Sequence, residues 1–189
     1  MPAIESVLEG KQFISSRLAF GVGTAPGRHE LLLFSNEAAL LDGLTAFIAA
    51  ALNAGNAAMV LVAESHQGSL LERLRAGRVD IDFAIQRGTY IADEAPDPVR
   101  FVRVVEGLSE AAAKAGKEHP RVAVCGDCAA RLWAQGEADE ALHLEQMSNK
   151  LIKSHNVDIL CAYPLPASGN VEDEVFKSLC EEHTAVSFR

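Results

Sequence analysis

The chain has 189 residues, of which 49% are apolar and 23% charged; 26 acidic against 17 basic side chains give a net charge of −9. This composition is globular and excludes a disordered chain. A surface this acidic repels phosphate backbones and anionic lipid, so neither nucleic acid nor a membrane is an expected partner. There is no apolar run of the roughly 18 residues that a transmembrane helix needs. The first ten residues, MPAIESVLEG, lack the basic start and apolar core of a secretory signal. Four cysteines are too few for a disulfide scaffold, and the expected location is cytoplasmic, with reduced thiols. One domain of this length buries roughly 70% of the surface its unfolded chain exposes. It therefore needs neither disulfide nor metal to fold, and no cofactor is expected.

In chain order, residues 1–28 read as a preface. Ile4, Val7, Leu8, Ile14 and Leu18 predict an amphipathic helix over 3–18, followed by the glycine-rich loop GVGTAPG. Gly21-x-Gly23 imitates a dinucleotide fingerprint, but its third glycine falls one position late and the loop precedes a strand. Residues 29–189 form the second unit, in which strands and helices alternate. Leu31–Phe34 predicts a strand buried on both faces. Ser35 or Asn36 caps the next helix, which Gly55 ends. Ala58–Ala63 is a strand, 67–75 a helix, and Thr89–Ala92 a strand. Pro98 opens a long helix to Lys114. Arg121–Cys125 is a strand, 128–135 and 138–154 are helices, and Asp158–Tyr163 is a strand. A helix over 171–183 and a strand AVSF close the chain. This alternation predicts an α/β fold of three layers, a mainly parallel sheet of five or more strands with helices on both faces.

Ligands of such sheets bind beyond the carboxyl ends of the strands. That edge carries Asn36, Glu64, His66, Asp127 and Tyr163. It lacks the G-x-x-x-x-G-K-[ST] loop that cradles phosphates: the first strand runs directly into Ser35-Asn36-Glu37. RVAVCGD does resemble the strand and aspartate that hold magnesium in nucleotide hydrolases, so a degenerate nucleotide-binding enzyme is one alternative. Cys125-Gly-Asp-Cys128 at a strand-to-helix junction supports a second, thiol-redox chemistry, against which stands the frequency of cysteine in apolar cores. Cys180-x-x-His183 joined to Cys125 and Cys128 would make a four-ligand zinc set, but the halves lie far apart for such a motif, and no metal is expected. Ser65 reads as a helix cap, and it lacks the flanking glycines of a nucleophile elbow. Glu64 and His66 either face a ligand or cap the helix beside them. Trp133 packs a helix on the sheet or lines an apolar pocket. Glu145 reads as an exposed carboxylate and His29 as a surface or edge residue.

Together these scattered residues resemble a known family. His29 precedes LLLF, a helix ends in Asn53-Ala-Gly55-Asn56, and AMVLVAESH follows. Gly88-Thr-Tyr-Ile-Ala-Asp93, Asp127 with Arg131-Leu132-Trp133, Ala141 to Glu145, and Leu160-Cys-Ala-Tyr163-Pro164 continue the match. From about His29 to Pro166 the chain resembles the MEDS domain, the sensory domain named for methanogens, methylotrophs and the dichloromethane regulator. The resemblance implies a RecA/KaiC-like fold that has lost its phosphate loop. It also implies a non-catalytic, prokaryotic signalling module that recognises a small organic molecule, which the strand-edge rule places near Glu64, His66, Asp127 and Tyr163, with Asn36 and Trp133 as further candidates. The family usually has Gly-Glu where this chain has Gly126-Asp127, one methylene shorter. The chain carries no kinase, receiver or DNA-binding segment, so the expected output is a separate histidine kinase or transcription regulator. A homodimer is the expected assembly.

Overall fold

A computed structural model describes residues 13–14, 27–94, 98–165 and 179–189. Its elements in chain order are β1 (Phe13–Ile14), β2 (His29–Phe34), α1 (Glu37–Asn53), β3 (Ala57–Leu61), α2 (Glu64–Ala76), α3 (Ile81–Gln86) and β4 (Tyr90–Asp93). Then follow α4 (Pro98–Lys114), β5 (Val122–Gly126), α5 (Cys128–Ala134), α6 (Ala138–Ser154), β6 (Val157–Pro164) and β7 (Ala185–Phe188). They build a seven-stranded sheet in the order β1-β7-β2-β6-β5-β3-β4. All pairings are parallel except β1 with β7. The helix expected over 3–18 differs at Phe13–Ile14, which pair as a strand; its remaining residues lie outside the described ones. So do residues 171–178 of the last expected helix, of which 179–182 are helical. Among the described residues, no helix is long and apolar enough to cross a membrane.

Period-two alternation assigns each strand residue to a face of the sheet. Leu32, Ala58, Val60, Cys125 and Leu160 point to the face covered by α1, α2 and α3, where they meet Leu44, Ile48, Leu70, Leu74 and Ile81. Met59, Leu61, Val124 and Ile159 point to the other face, against Val105 and Leu108 of α4 and Leu151 of α6. Leu31, Leu33 and Tyr163 share that second face with Ala129 and Ala130 of α5 and Ala141 of α6. Because β2, β3, β5 and β6 are covered on both sides, their sequences read as continuous apolar runs. The short α3 escapes the sequence reading because six residues hold too little helical period to register.

Local signals set the element ends. Asn36 caps α1 by accepting the Ala39 N–H at 3.0 Å. Gly55 follows α1 with φ +76°, a conformation that favours glycine. Ser65 is no cap: α2 begins at Glu64, and the N-cap position falls on Ala63.

Gly126 ends β5 against β3, and a Cβ there would strike the backbone carbonyl of Leu61. Gly126→Ala is expected to lose about 1–3 kcal/mol in urea unfolding, the usual cost of overpacking. Gly107, exposed within α4, has nothing within 4 Å of its would-be Cβ. Gly107→Ala should gain about 0.5–1 kcal/mol by lowering the entropy of the unfolded chain.

Candidate functional site

The carboxyl edge of the sheet brings some of the expected residues together. His66, on the first turn of α2, faces Glu37 Oε1 at 3.6 Å and Asp127 Oδ2 at 3.9 Å. Asp127 holds the N-cap position of α5 without making a side-chain cap bond, and its Oδ1 lies 3.2 Å from Arg131 Nε. Burial raises the Asp127 carboxyl above its ordinary range, opposed by the charges of Arg131 and His66. Glu64 is exposed, and its backbone N–H donates to Glu94 Oε1 at 2.8 Å. Asn36 is spent on its cap. Four carboxylates (Glu37, Glu64, Glu94, Asp127) therefore crowd the edge where a nucleotide hydrolase gathers lysine and backbone N–H groups around phosphates.

Tyr163 does not join the rim. It is buried, and its hydroxyl donates to Glu145 Oε1 at 2.7 Å. Trp133 meets the Tyr163 ring edge-on at 6.3 Å between centroids. Glu145 overturns its sequence reading: it is 0% exposed rather than a surface carboxylate. His29, read as a surface or edge residue, is also 0% exposed. Both belong to a cluster that the sequence reading missed. His29 Nε2 lies 3.0 Å from Glu145 Oε2 and 3.4 Å from Cys161 Sγ. His183 Nε2 lies 3.3 Å from the same Glu145 oxygen. The two imidazoles stack at 4.1 Å between centroids.

The fold assembles this cluster by register. β2 and β6 pair His29 with Ile159, Leu31 with Cys161 and Leu33 with Tyr163, so His29, Cys161 and Tyr163 all face α6. Glu145 projects from α6 on the same stripe as buried Ala141. His183 arrives on the turn before β7, where the Thr184 N–H donates to the His29 carbonyl and the His29 N–H donates to Thr184 Oγ1. Burial opposes charge on Glu145, yet the paired imidazoles of His183 and His29 outweigh it and hold the carboxyl well below the usual carboxylate range. Burial, and then the Glu145 charge, push the Cys161 thiol and the Tyr163 phenol well up.

A cavity of about 250 Å³ lies along the second face, between the sheet, α4 and α6. Phe101, Val102, Val124, Leu144 and Ile159 supply apolar wall, and Glu145, Cys161 and Tyr163 are its link to the buried cluster. Of the expected ligand residues, Tyr163 lines it; Glu64, His66, Asp127, Asn36 and Trp133 do not.

The two cysteines of the C-x-x-C segment part company. Cys125 points into the core on the α1 face, and burial pushes its thiol far up. Cys128 lies within 3.3 Å of the Leu61 carbonyl, and burial raises its thiol too, against the pull of Arg131. Redox catalysis draws on a lowered thiol pKa, and both environments act the other way.

Tyr163→Phe deletes one donor and leaves Glu145 Oε1 dry. Urea unfolding should show a loss of about 1.5–3 kcal/mol, the range for hydrogen bonds to charged groups. A loss below a few tenths would mean that the hydroxyl does not support the carboxylate.

Comparison with solved structures finds the same architecture elsewhere. The chain superposes on a KaiC-like protein from the hyperthermophilic archaeon Pyrococcus horikoshii with a TM-score of 0.52 at 13% identity, over 76% of this chain and 64% of that one. A second Pyrococcus horikoshii protein, uncharacterized and in complex with an unknown peptide, gives a TM-score of 0.58 at 11% identity, over 84% of this chain and 76% of that one. At such identities the likeness is one of fold: a KaiC-like, three-layer α/β domain. No curated protein matches the sequence. The sequence does match the MEDS description, "methanogen/methylotroph, DcmR sensory domain", over residues 28–184, so that the chain belongs to the MEDS family of sensory domains.

Proposed function

We propose that this protein is a non-catalytic sensory module whose signal is a small, largely apolar organic molecule bound in the cavity between the sheet, α4 and α6. The cavity carries this reading. At about 250 Å³ it is roomy enough for a small organic ligand, since an apolar cavity of about 150 Å³ already binds benzene. Its walls are aliphatic and aromatic, with Tyr163 and Glu145 as polar groups to orient one end of the ligand. Glu37, Glu64, Glu94 and Asp127, with His66 among them, form the acidic rim at the carboxyl edge of the sheet, Asn36 caps α1 beside it, and Trp133 packs on Tyr163. The rim supports a sensor over the alternative of a degenerate nucleotide enzyme, because it turns carboxylates toward the place where phosphates would sit.

A ligand that touches both α4 and α6 favours one spacing of those helices, which is the differential contact a relay requires. The receiver of the signal in this reading is a separate histidine kinase or transcription regulator, and the protein acts as a homodimer.

Thermal-shift screening of small metabolites tests the site. A ligand at ~100 times its dissociation constant adds about 2.7 kcal/mol to stability. The shift should survive in Glu64→Ala and Asp127→Ala and vanish in Leu144→Trp, which fills the cavity. A hit unaffected by Leu144→Trp but lost in both rim variants would move the site to the rim. The dimer is read independently by sedimentation at rising concentration, where a mass that stays at one chain counts against it.

A further inference from the structure

We propose that His29, Glu145, Cys161 and His183 form a binding site for one zinc ion, a closed structural centre that fastens the C-terminal turn to β2, β6 and α6. This site stands whether or not a ligand occupies the cavity. The four residues each offer one ligand atom, and these atoms all lie within 4.8 Å of one another. Measured separations are 3.0 Å for His29 Nε2 to Glu145 Oε2, 3.3 Å for His183 Nε2 to the same oxygen, and 3.4 Å for His29 Nε2 to Cys161 Sγ. Zinc bonds of about 2.0–2.3 Å in a tetrahedron place neighbouring ligand atoms about 3.3–3.7 Å apart. The side chains already stand close to that arrangement.

The outer hydrogen bonds fix what the inner atoms offer. His183 Nδ1 lies 2.7 Å from the Leu179 carbonyl, an acceptor, so Nδ1 carries the proton and Nε2 turns a lone pair inward. Asn149 spends its amide N–H groups on the Glu182 carbonyl at 3.0 Å and the Glu182 carboxylate at 2.5 Å. Its oxygen therefore faces His29 Nδ1 at 3.1 Å and takes that proton, leaving His29 Nε2 inward as a lone pair. Such outer partners orient imidazoles for a metal. Tyr163 plays the same part for Glu145 by binding Oε1 and leaving Oε2 inward. Glu145 Oε2 and His183 Nε2 are buried and have no hydrogen-bond partner among the described residues.

Glu145 Oε2, His29 Nε2 and His183 Nε2 converge in a dry site beside Cys161 Sγ. One divalent ion satisfies all four donors at once, and a glutamate with a cysteine thiolate balances its charge. Cys161 gives up its proton on binding. A mixed set of nitrogen, sulfur and oxygen with no vacant position fits a structural zinc site. The set differs from the combination of Cys125, Cys128, Cys180 and His183 weighed on sequence: only His183 is shared, and Cys125 points to the opposite face of the sheet.

The full chain, expressed with zinc present and dialysed, should retain about one zinc per chain by mass spectrometry, as a closed structural site does. X-ray absorption on the wild type should show one sulfur at about 2.3 Å and nitrogen or oxygen at about 2.0–2.1 Å. Cobalt in place of zinc should give intense tetrahedral visible bands and a near-ultraviolet thiolate band. Cys161→Ser should lose the thiolate band, His183→Gln should lower metal content, and Cys128→Ser and Cys180→Ser should change neither. Zinc-free wild type after that treatment, an absorption spectrum without sulfur, or a thiolate band that survives Cys161→Ser overturns the site. The first two readings use wild type alone, so they decide the matter even if a ligand variant fails to fold.

Discussion

The carboxylate of Glu145 is the constraint around which one half of this domain is arranged. Bringing such a charge out of water costs several kcal/mol even after the protein relaxes, on the order of the whole stability of a domain. Nothing about α6 as an isolated helix would recover that cost. The groups that face the carboxylate come from three other parts of the chain: His29 from the start of β2, Tyr163 from the end of β6, and His183 from the turn before β7. The parallel pairing of β2 with β6 and of β2 with β7 is therefore also the device that delivers partners to the carboxylate. Asn149 holds the His29 ring and Thr184 its backbone, and the Leu179 carbonyl holds the His183 ring.

The carboxyl edge of the same sheet follows a different logic. A KaiC-like fold ordinarily offers its strand ends and helix N-termini to phosphates. Here Ser35 and Asn36 take the place of a phosphate loop, Asn36 closes α1 with its own side chain, and Glu37, Glu64, Glu94 and Asp127 make the rim acidic. His66 and Arg131 offset part of that charge within the rim itself. The strand ends here carry carboxylates, in a chain whose family is one of sensory domains.

The second face of the sheet is incompletely covered. α4 and α6 cover it, yet a cavity of about 250 Å³ remains against Val124 and Ile159. That cavity sets apolar wall beside the most polar buried cluster of the described residues.

Much of this was legible in the chain itself. Short apolar runs separated by helical periods gave the α/β class and the parallel sheet, because strands covered on both faces cannot alternate in polarity. Pro98 marked the start of α4 and the Ser35-Asn36 pair the start of α1, since φ restriction and side-chain capping act within a few residues. The missing phosphate loop was equally local. The buried cluster was not, because His29, Glu145, Cys161 and His183 lie far apart in sequence and form no motif. Two weak signals point to it in retrospect: His29 extends the period-two stripe of Leu31 and Leu33, and Glu145 extends the helical stripe of Ala141. A titratable residue on such a stripe reads as exposed until its partners are known, since burial of a charge is affordable only when they are present. Sequence alone determined which segments become strands and helices. Tertiary structure decided that a histidine, a cysteine and a tyrosine on neighbouring strands would meet a glutamate on the helix above them, because strand register is a property of paired chains and not of any one segment.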